Sequence, residues 1–235
     1  VMAFDECSPH DTDNTYWRKS MNMTTRWLKR CVQEHKEKPG NLFGIIQGGI
    51  DLNLRKEHTQ TIASFELPGI AIGGLSVGEK KETMYHILQE IMNYLPKNKP
   101  RYLMGVGDLD DILFSVEHGI DMFDCVIPTR LARNGSLFTL KGNINIRNHY
   151  HHESDQPIDE ACACSVCKHY SRAYLRHLLQ SQEILYHRLA TYHNLYFYYH
   201  FMKQIRTAIF QKKFLEFKKQ FLEKYTCHEN KNSSA

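Results

Sequence analysis

Two short stretches of this 235-residue chain carry the residue types that chemistry requires. The first is Cys162-x-Cys164-x2-Cys167, which sets three thiolates on one tight turn. That spacing suits a soft tetrahedral ion such as zinc rather than a disulfide framework, and one more ligand would close the shell. His169, His177, His187 and His193 follow in the chain, with His169 very close to the turn, and spacing alone does not choose among them. A site closed by four protein ligands leaves no position for substrate, so its role is structural. The second stretch is 119–135, GIDMFDCVIPTRLARNG. Asp121 fits the start of a short apolar strand, and Asp124 lies near its far end. A carboxylate there must be held by polar groups or do chemistry, because an unpaired buried one is costly. Pro128 has no N–H for a ladder and would end the strand. Arg130 and Arg133 follow. A carboxylate beside two guanidinium groups suits an anionic substrate with a reactive carbon between its phosphates. A structural Asp–Arg ion pair fits the same residues.

The elements that must position these groups alternate. Apolar strand-like runs at 1–4, 42–47, 69–73, 101–106 and 121–126 are separated by helical patterns at 16–35, 54–65, 82–95 and 108–118. In the first helix Met23, Trp27, Leu28 and Cys31 fall at helical spacing. The strand runs are apolar on both faces, which means parallel strands covered by helices. Polar residues gather where the strands end: Asp5, Gln47, Gly73-Gly74 and Asp124. In a (β/α)8 barrel that rim holds the active site, and an open doubly wound sheet also binds ligands there. The contribution of several different strands favours the barrel. With five units visible, about three N-terminal ones are expected upstream of Val1, and a chain that opens directly on a strand agrees. Residues 138–147 fit a hairpin turning at 141–143. Residues 148–160 read as a polar loop, with His149, His151 and His152 solvated. Residues 171–225 hold no Pro or Gly and read as two or three long helices, and 230–235 as a frayed tail. The expected domains are 1–148, the barrel portion, and 149–235, a zinc-binding basic helical subdomain.

Composition excludes some classes. No run of 18 apolar residues marks a membrane span, and no charged-then-apolar leader opens the chain, so a cytoplasmic location is expected. The net charge of +4 hides an asymmetry: residues 168–225 carry 11 Lys/Arg against 3 Asp/Glu. Basic charge in one segment suggests an anionic partner such as nucleic acid, although charge runs are usually solvated helix faces. Cys7, Cys31, Cys125 and Cys227 are scattered and read as small buried hydrophobes.

In order, FDEC, IIQGG, GGLSVGE, RYLMGVG, DMFDCVIPTR, then CxCxxC and a histidine, resemble the tRNA-guanine transglycosylase family over essentially the whole chain. The resemblance implies exchange of wobble guanine in tRNA for a 7-deazaguanine, within queuosine biosynthesis, by a homodimer. By motif, Asp124 matches the nucleophile that captures ribose C1′. Asp5 matches the residue that reads the polar edge of the base, and Gln47 and the Gly74 N–H match the groups that bind its carbonyl. Leu75 matches the position whose carbonyl meets the 7-substituent. Tyr102 and Met104 match the residues that sandwich the ring, and Arg130 and Arg133 those that hold the anticodon-loop backbone. His193 becomes the fourth ligand beside Cys162, Cys164 and Cys167, with zinc as the structural ion. Cys7 and Val77 resemble the bacterial type, which implies 7-aminomethyl-7-deazaguanine rather than queuine. The family's second aspartate, a general acid/base in a DSGG-type motif, has no match here. It is expected upstream, and a chain that truly began at Val1 would be inactive. The alternative is a non-catalytic tRNA-binding subunit of the same fold, although such subunits usually lose the nucleophile or the base-reading aspartate.

Overall fold

The computed structural model describes the backbone of residues 1–232 and side chains through residue 225. The chain divides into two compact units, Val1–Cys125 and Val126–Ala235.

The first unit is an α/β layer. Its strands β1 (Phe43–Ile46), β2 (Gly69–Ile72), β3 (Arg101–Leu103) and β4 (Met122–Phe123) form one parallel sheet in sequential order. Register pairs Phe43 with Gly69, Ile70 with Arg101 and Tyr102 with Met122. Helix α1 (Asn14–His35) precedes the sheet, and α2 (Leu52–Ala63), α3 (Lys81–Ile91) and α4 (Leu109–Glu117) form the crossovers. β1 and β2 are buried at every position, as helix-covered parallel strands must be. The core joins Ile46, Ile70, Ile72 and Leu103 of the sheet to Leu28, Ile62, Leu88 and Ile91 of the helices. Aspartates start two of these helices: Asp13 accepts from Tyr16 N at 2.8 Å and Asp51 from Leu54 N at 2.9 Å, satisfying N–H groups that lack helical partners.

Several sequence expectations change. The run 1–4 is not a buried strand. It touches β1 through the parallel Met2–Phe43 bridge, only Ala3 turns inward, and Val1 and Phe4 are exposed. In α1 the buried face is Trp17, Ser20, Met21, Thr24 and Leu28, while Met23, Trp27 and Cys31 are half-buried. β4 stops at Phe123, before Asp124, and Pro128 does not end it. Pro128 instead lies in the first turn of α5 (Ile127–Arg133), where a missing N–H costs nothing.

In the second unit, α5 leads to the antiparallel hairpin β5 (Ser136–Thr139) and β6 (Gly142–Asn145), which turns at 140–141, earlier than the sequence suggests. Helices α6 (Ser165–His169), α7 (Arg172–Gln180), α8 (Ile184–Phe210) and α9 (Phe214–Asn232) follow. The expected division at 148 separates elements that share one core: Ala132, Leu137 and Ile146 pack with Ile158, Leu175, Leu179, Tyr186 and Ala190. His151 is buried beneath α7, not solvated like its neighbours. Helix α9 continues through Asn232, into the expected tail, and residues 233–235 and the side chain of Cys227 lie outside the described residues.

Candidate functional site

The C-terminal ends of the parallel strands bring together the polar residues that the sequence scatters over more than a hundred positions. At β1, Gln47 is fully buried and its Nε2 donates to Asp5 Oδ2 at 2.6 Å. Gln47 Oε1 is buried with no hydrogen-bond partner among the described residues. At β2, Gly74 has φ +61°, and a Cβ there would collide with that same Oε1. Only glycine lets the backbone approach the amide so closely. Burial raises the Asp5 pKa, the bond from Gln47 opposes the rise, and neighbouring Glu6 adds to it.

Asp124 follows β4. It is exposed rather than buried, and both of its described partners bind one oxygen: Oδ1 accepts from Tyr102 Oη at 2.6 Å and from Gly105 N at 2.8 Å. Burial and this bond push the Tyr102 pKa up to about 12, so the hydroxyl stays a donor at neutral pH. Tyr102 and Met104 are half-buried at the end of β3. Leu75 is buried, whereas Val77 and Cys7 are exposed, so Cys7 is not the buried hydrophobe expected of an isolated cysteine. Cys31 and Cys125 are half-buried. In the loop 74–79, the Glu79 carboxylate accepts from the Ser76 and Val77 amides and so closes the turn.

Two residues of α2, neither evident from motif spacing, brace these ends. Arg55 is fully buried. Its Nε donates to Gly49 O at 2.7 Å, Nη1 to Gly73 O at 2.6 Å and Nη2 to Gly74 O at 2.6 Å. Burial drives its pKa down to about 10. One turn on, His58 Nδ1 accepts from Gln47 N at 2.8 Å, and Nε2 lies 3.0 Å from Thr25 Oγ1. Burial lowers the His58 pKa to about 4 and keeps it neutral, as an acceptor at Nδ1 must be. Their signal in the sequence is slight: Arg and His at i and i+3 on a helix whose neighbouring positions Leu54, Thr59 and Ile62 are buried.

In the second unit Cys162, Cys164, Cys167 and His193 converge, their ligand atoms all within 4.8 Å of one another. His193 Nδ1 lies 3.9, 3.5 and 3.4 Å from the three sulfurs in turn. Bond lengths of a tetrahedral zinc site, ~2.3 Å to sulfur and ~2.0 Å to nitrogen, place such ligands about 3.6 Å apart. His193 Nε2 donates to Phe138 O at 2.8 Å, which leaves the Nδ1 lone pair facing the thiolates. The cluster can hold a metal ion. Of the other candidate histidines, His169 turns its Nδ1 to Ser165 O at 2.8 Å. Next to His193, buried Asn194 accepts from Phe138 N at 3.1 Å and donates to Pro128 O at 2.9 Å and Ser136 O at 3.1 Å. Tyr186 Oη donates to Ala132 O at 3.0 Å. Helix α8 thus fixes both α5 and the hairpin, and Arg130 and Arg133 stand exposed on α5. Of the basic segment, Arg172 and Arg176 turn inward onto backbone carbonyls. Lys203, Arg206, Lys212, Lys213 and Lys219 are exposed.

Residues 1–227 match the family described as TGT, queuine tRNA-ribosyltransferase. The chain belongs to the queuine tRNA-ribosyltransferase family. It is 54% identical to the queuine tRNA-ribosyltransferase of Thermoanaerobacter sp., over 96% of this chain and 60% of that protein. It is 53% identical to that of Thermodesulfovibrio yellowstonii, over 94% of this chain and 58% of that protein. The figures for Herpetosiphon aurantiacus are 51%, 96% and 57%. The chain therefore spans about 60% of the length of these queuine tRNA-ribosyltransferases. Among the described residues no helix is long and apolar enough to cross a membrane.

Proposed function

We propose that this protein exchanges guanine at the wobble position of tRNA for 7-aminomethyl-7-deazaguanine through a covalent aspartyl-ribosyl intermediate. Family membership supports the reaction class. The observation that carries the residue roles is the one-sided anchoring of Asp124: Tyr102 and Gly105 hold Oδ1, and Oδ2 has no partner among the described residues. A carboxylate held through one oxygen presents the other, an arrangement that suits a nucleophile forming a covalent intermediate. Asp124 attacks ribose C1′, the C1′–N9 bond breaks with its electron pair leaving on guanine, which takes up a proton, and the incoming base gives up its N9 proton to solvent as its nitrogen bonds C1′ and releases the Asp124 carboxylate. Two inversions retain configuration, as in retaining glycosidases. The target base leaves its stack to reach the pocket.

Asp5 and Gln47 hydrogen-bond each other, and each is the partner the other would exchange for a base. Asp5 then accepts from the ring N–H and exocyclic amine, and Gln47 with the Gly74 N–H takes the carbonyl. The unpartnered Gln47 Oε1 marks a polar floor that its own surroundings do not satisfy. Tyr102 and Met104 flank the ring, and the Leu75 carbonyl meets the 7-substituent. Cys7 and Val77 are the residue types of the bacterial form, which supports the small aminomethyl group, although the relatives carry queuine in their names. Arg130 and Arg133 hold the anticodon-loop phosphates. The ion is zinc, and when bound it ties the turn at 162–167 to α8. The sequential, unreversed strand order of the first unit supports a (β/α)8 barrel, since a doubly wound sheet reverses its order at the ligand crevice. The whole protein acts as a cytoplasmic homodimer.

The test is covalent trapping. Protein expressed from its complete coding sequence is mixed with a wobble-guanosine tRNA and a base analogue that stalls turnover, then run on a denaturing gel. A shifted band that vanishes in Asp124→Asn supports the reading. No band from folded, zinc-loaded protein favours a non-catalytic tRNA-binding subunit of the same fold.

A further inference from the structure

Arg55 is the most deeply buried cation of the first unit, and none of its hydrogen-bond partners is a carboxylate. It donates only to backbone carbonyls: Gly49, Gly73 and Gly74 at 2.6–2.7 Å, and Ile46 at 3.4 Å. The Glu79 carboxylate acts on it only through space, so a guanidinium stripped of water and hydrogen-bonded to no carboxylate is an expensive way to satisfy carbonyls. Neutral donors would do that work at lower cost. What a charge adds is polarisation: a hydrogen bond from a cation to a peptide oxygen strengthens donation by the N–H of the same peptide. The peptide whose oxygen takes Nη1 is Gly73–Gly74, and its N–H is that of Gly74. Gly74 lies beside the Gln47 side-chain amide, whose donor Nε2 would share the base carbonyl with the Gly74 N–H once a base replaces the Cys7 thiol as the partner of the Gly74 backbone.

We propose that Arg55 is the positioning residue of the base pocket, polarising the Gly73–Gly74 peptide so that the Gly74 N–H meets charge gathering on the base oxygen as the glycosidic bond breaks. This rests on the transglycosylase reading above. The bond between C1′ and N9 breaks, the electron pair goes to guanine, and the C1′–O bond to Asp124 forms. The charge on the departing base spreads from its ring nitrogen to its carbonyl oxygen, and the anion then takes a proton from water. A preorganised donor aimed at that oxygen acts mainly in the transition state. Arg55 itself touches neither base nor ribose.

The experiment compares wild type, Arg55→Lys and Arg55→Gln, each expressed from the complete coding sequence. Thermal midpoint and tRNA affinity report the fold. Radiolabelled guanine exchange gives kcat and KM. Competition by guanine and by 2,6-diaminopurine, which lacks the carbonyl oxygen, isolates the interaction with that atom. The expected result is two folded variants with tRNA affinity within about twofold of wild type, guanine kcat/KM lower by about tenfold to a hundredfold in Arg55→Gln, the scale of one charge-assisted hydrogen bond, and a smaller loss in Arg55→Lys, which keeps the charge. The wild-type preference for guanine over 2,6-diaminopurine shrinks about tenfold in Arg55→Gln. An unchanged preference in a folded variant overturns the inference, because a purely structural role weakens both bases alike. Failure of both variants to fold also overturns it and assigns Arg55 to the scaffold. If the wild type exchanges no guanine and binds neither base, the transglycosylase reading itself has failed.

Discussion

Asp124 shows how little is needed to aim a carboxylate. One hydroxyl and one amide hold a single oxygen, and the hydroxyl belongs to Tyr102, which the family resemblance places on the base ring. Both roles are compatible, because the ring faces and the Oη are different parts of the side chain. Tyr102→Phe keeps the ring and removes the anchor. Guanine release in a single turnover should slow about tenfold to a hundredfold, with base KM changed much less. Equal loss in both parameters would assign Tyr102 to base binding alone. His58 gives a pH prediction. Its pKa is lowered on folding from 6.5 to about 4, so the unfolded chain binds a proton that the folded chain refuses between those values. Stability is fully present above pH 6.5 and falls as pH drops toward 4, by at most about 3 kcal/mol from this group. Urea unfolding between pH 4 and 7 measures it, and His58→Gln should flatten that part of the curve.

At the scale of elements, α8 organises the second unit. One turn of it carries both His193 and Asn194, so the metal cluster and the anchor of α5 are the same piece of helix. Asn194→Ala leaves Phe138 N, Pro128 O and Ser136 O without their partner, and should cost about 3 kcal/mol in chemical denaturation. Chelation of the metal should lower the thermal midpoint of this unit by more, since ligand binding and folding are one equilibrium at such sites. Calorimetry with and without chelator, beside Cys164→Ser, checks it. A midpoint indifferent to chelator would remove zinc from the account.

At the scale of the whole molecule, the basic balance of residues 168–225 resolves into two uses of charge. Arg172 and Arg176 close loops onto α7 by binding carbonyls, whereas Lys203 of α8, Lys212 and Lys213 of the turn after it, and Lys219 of α9 face solvent. Only the second group can neutralise phosphates. Replacing Lys212, Lys213 and Lys219 with Gln should weaken tRNA binding. The logarithmic slope of affinity against salt should become shallower by about 0.7–0.9 for each phosphate no longer neutralised. Binding titrations at several salt concentrations decide it, and an unchanged slope would mean that these lysines are solvated without a nucleic-acid partner.

The sequence by itself determined the alternation of parallel strands and helices, because two-faced burial leaves continuous apolar runs that a period of two cannot hide. It determined the three cysteines of the metal cluster, because a turn of six residues fixes its own ligand spacing. It placed Gln47 and Asp124 just past the ends of strands, whereas Asp5 follows a single bridge and not a strand. Spacing left the fourth ligand open and only the family resemblance named His193; tertiary structure brings it to the cysteines after 25 residues that include a helix reversal. Tertiary structure also decided where the long helical segment breaks. Gln182 and Lys212 take positive φ, and Glu183 N and Lys213 N close 6→1 bonds to Leu178 O and Ala208 O, with no glycine or proline to announce either stop. Arg55 and His58 were hidden for a related reason. The hydrogen bonds of Arg55, and that of His58 to Gln47 N, go to backbone atoms, which every residue type offers, so nothing in the spacing of types records them. Only the approach of α2 to the ends of β1 and β2 shows that a buried charge stands behind the glycines.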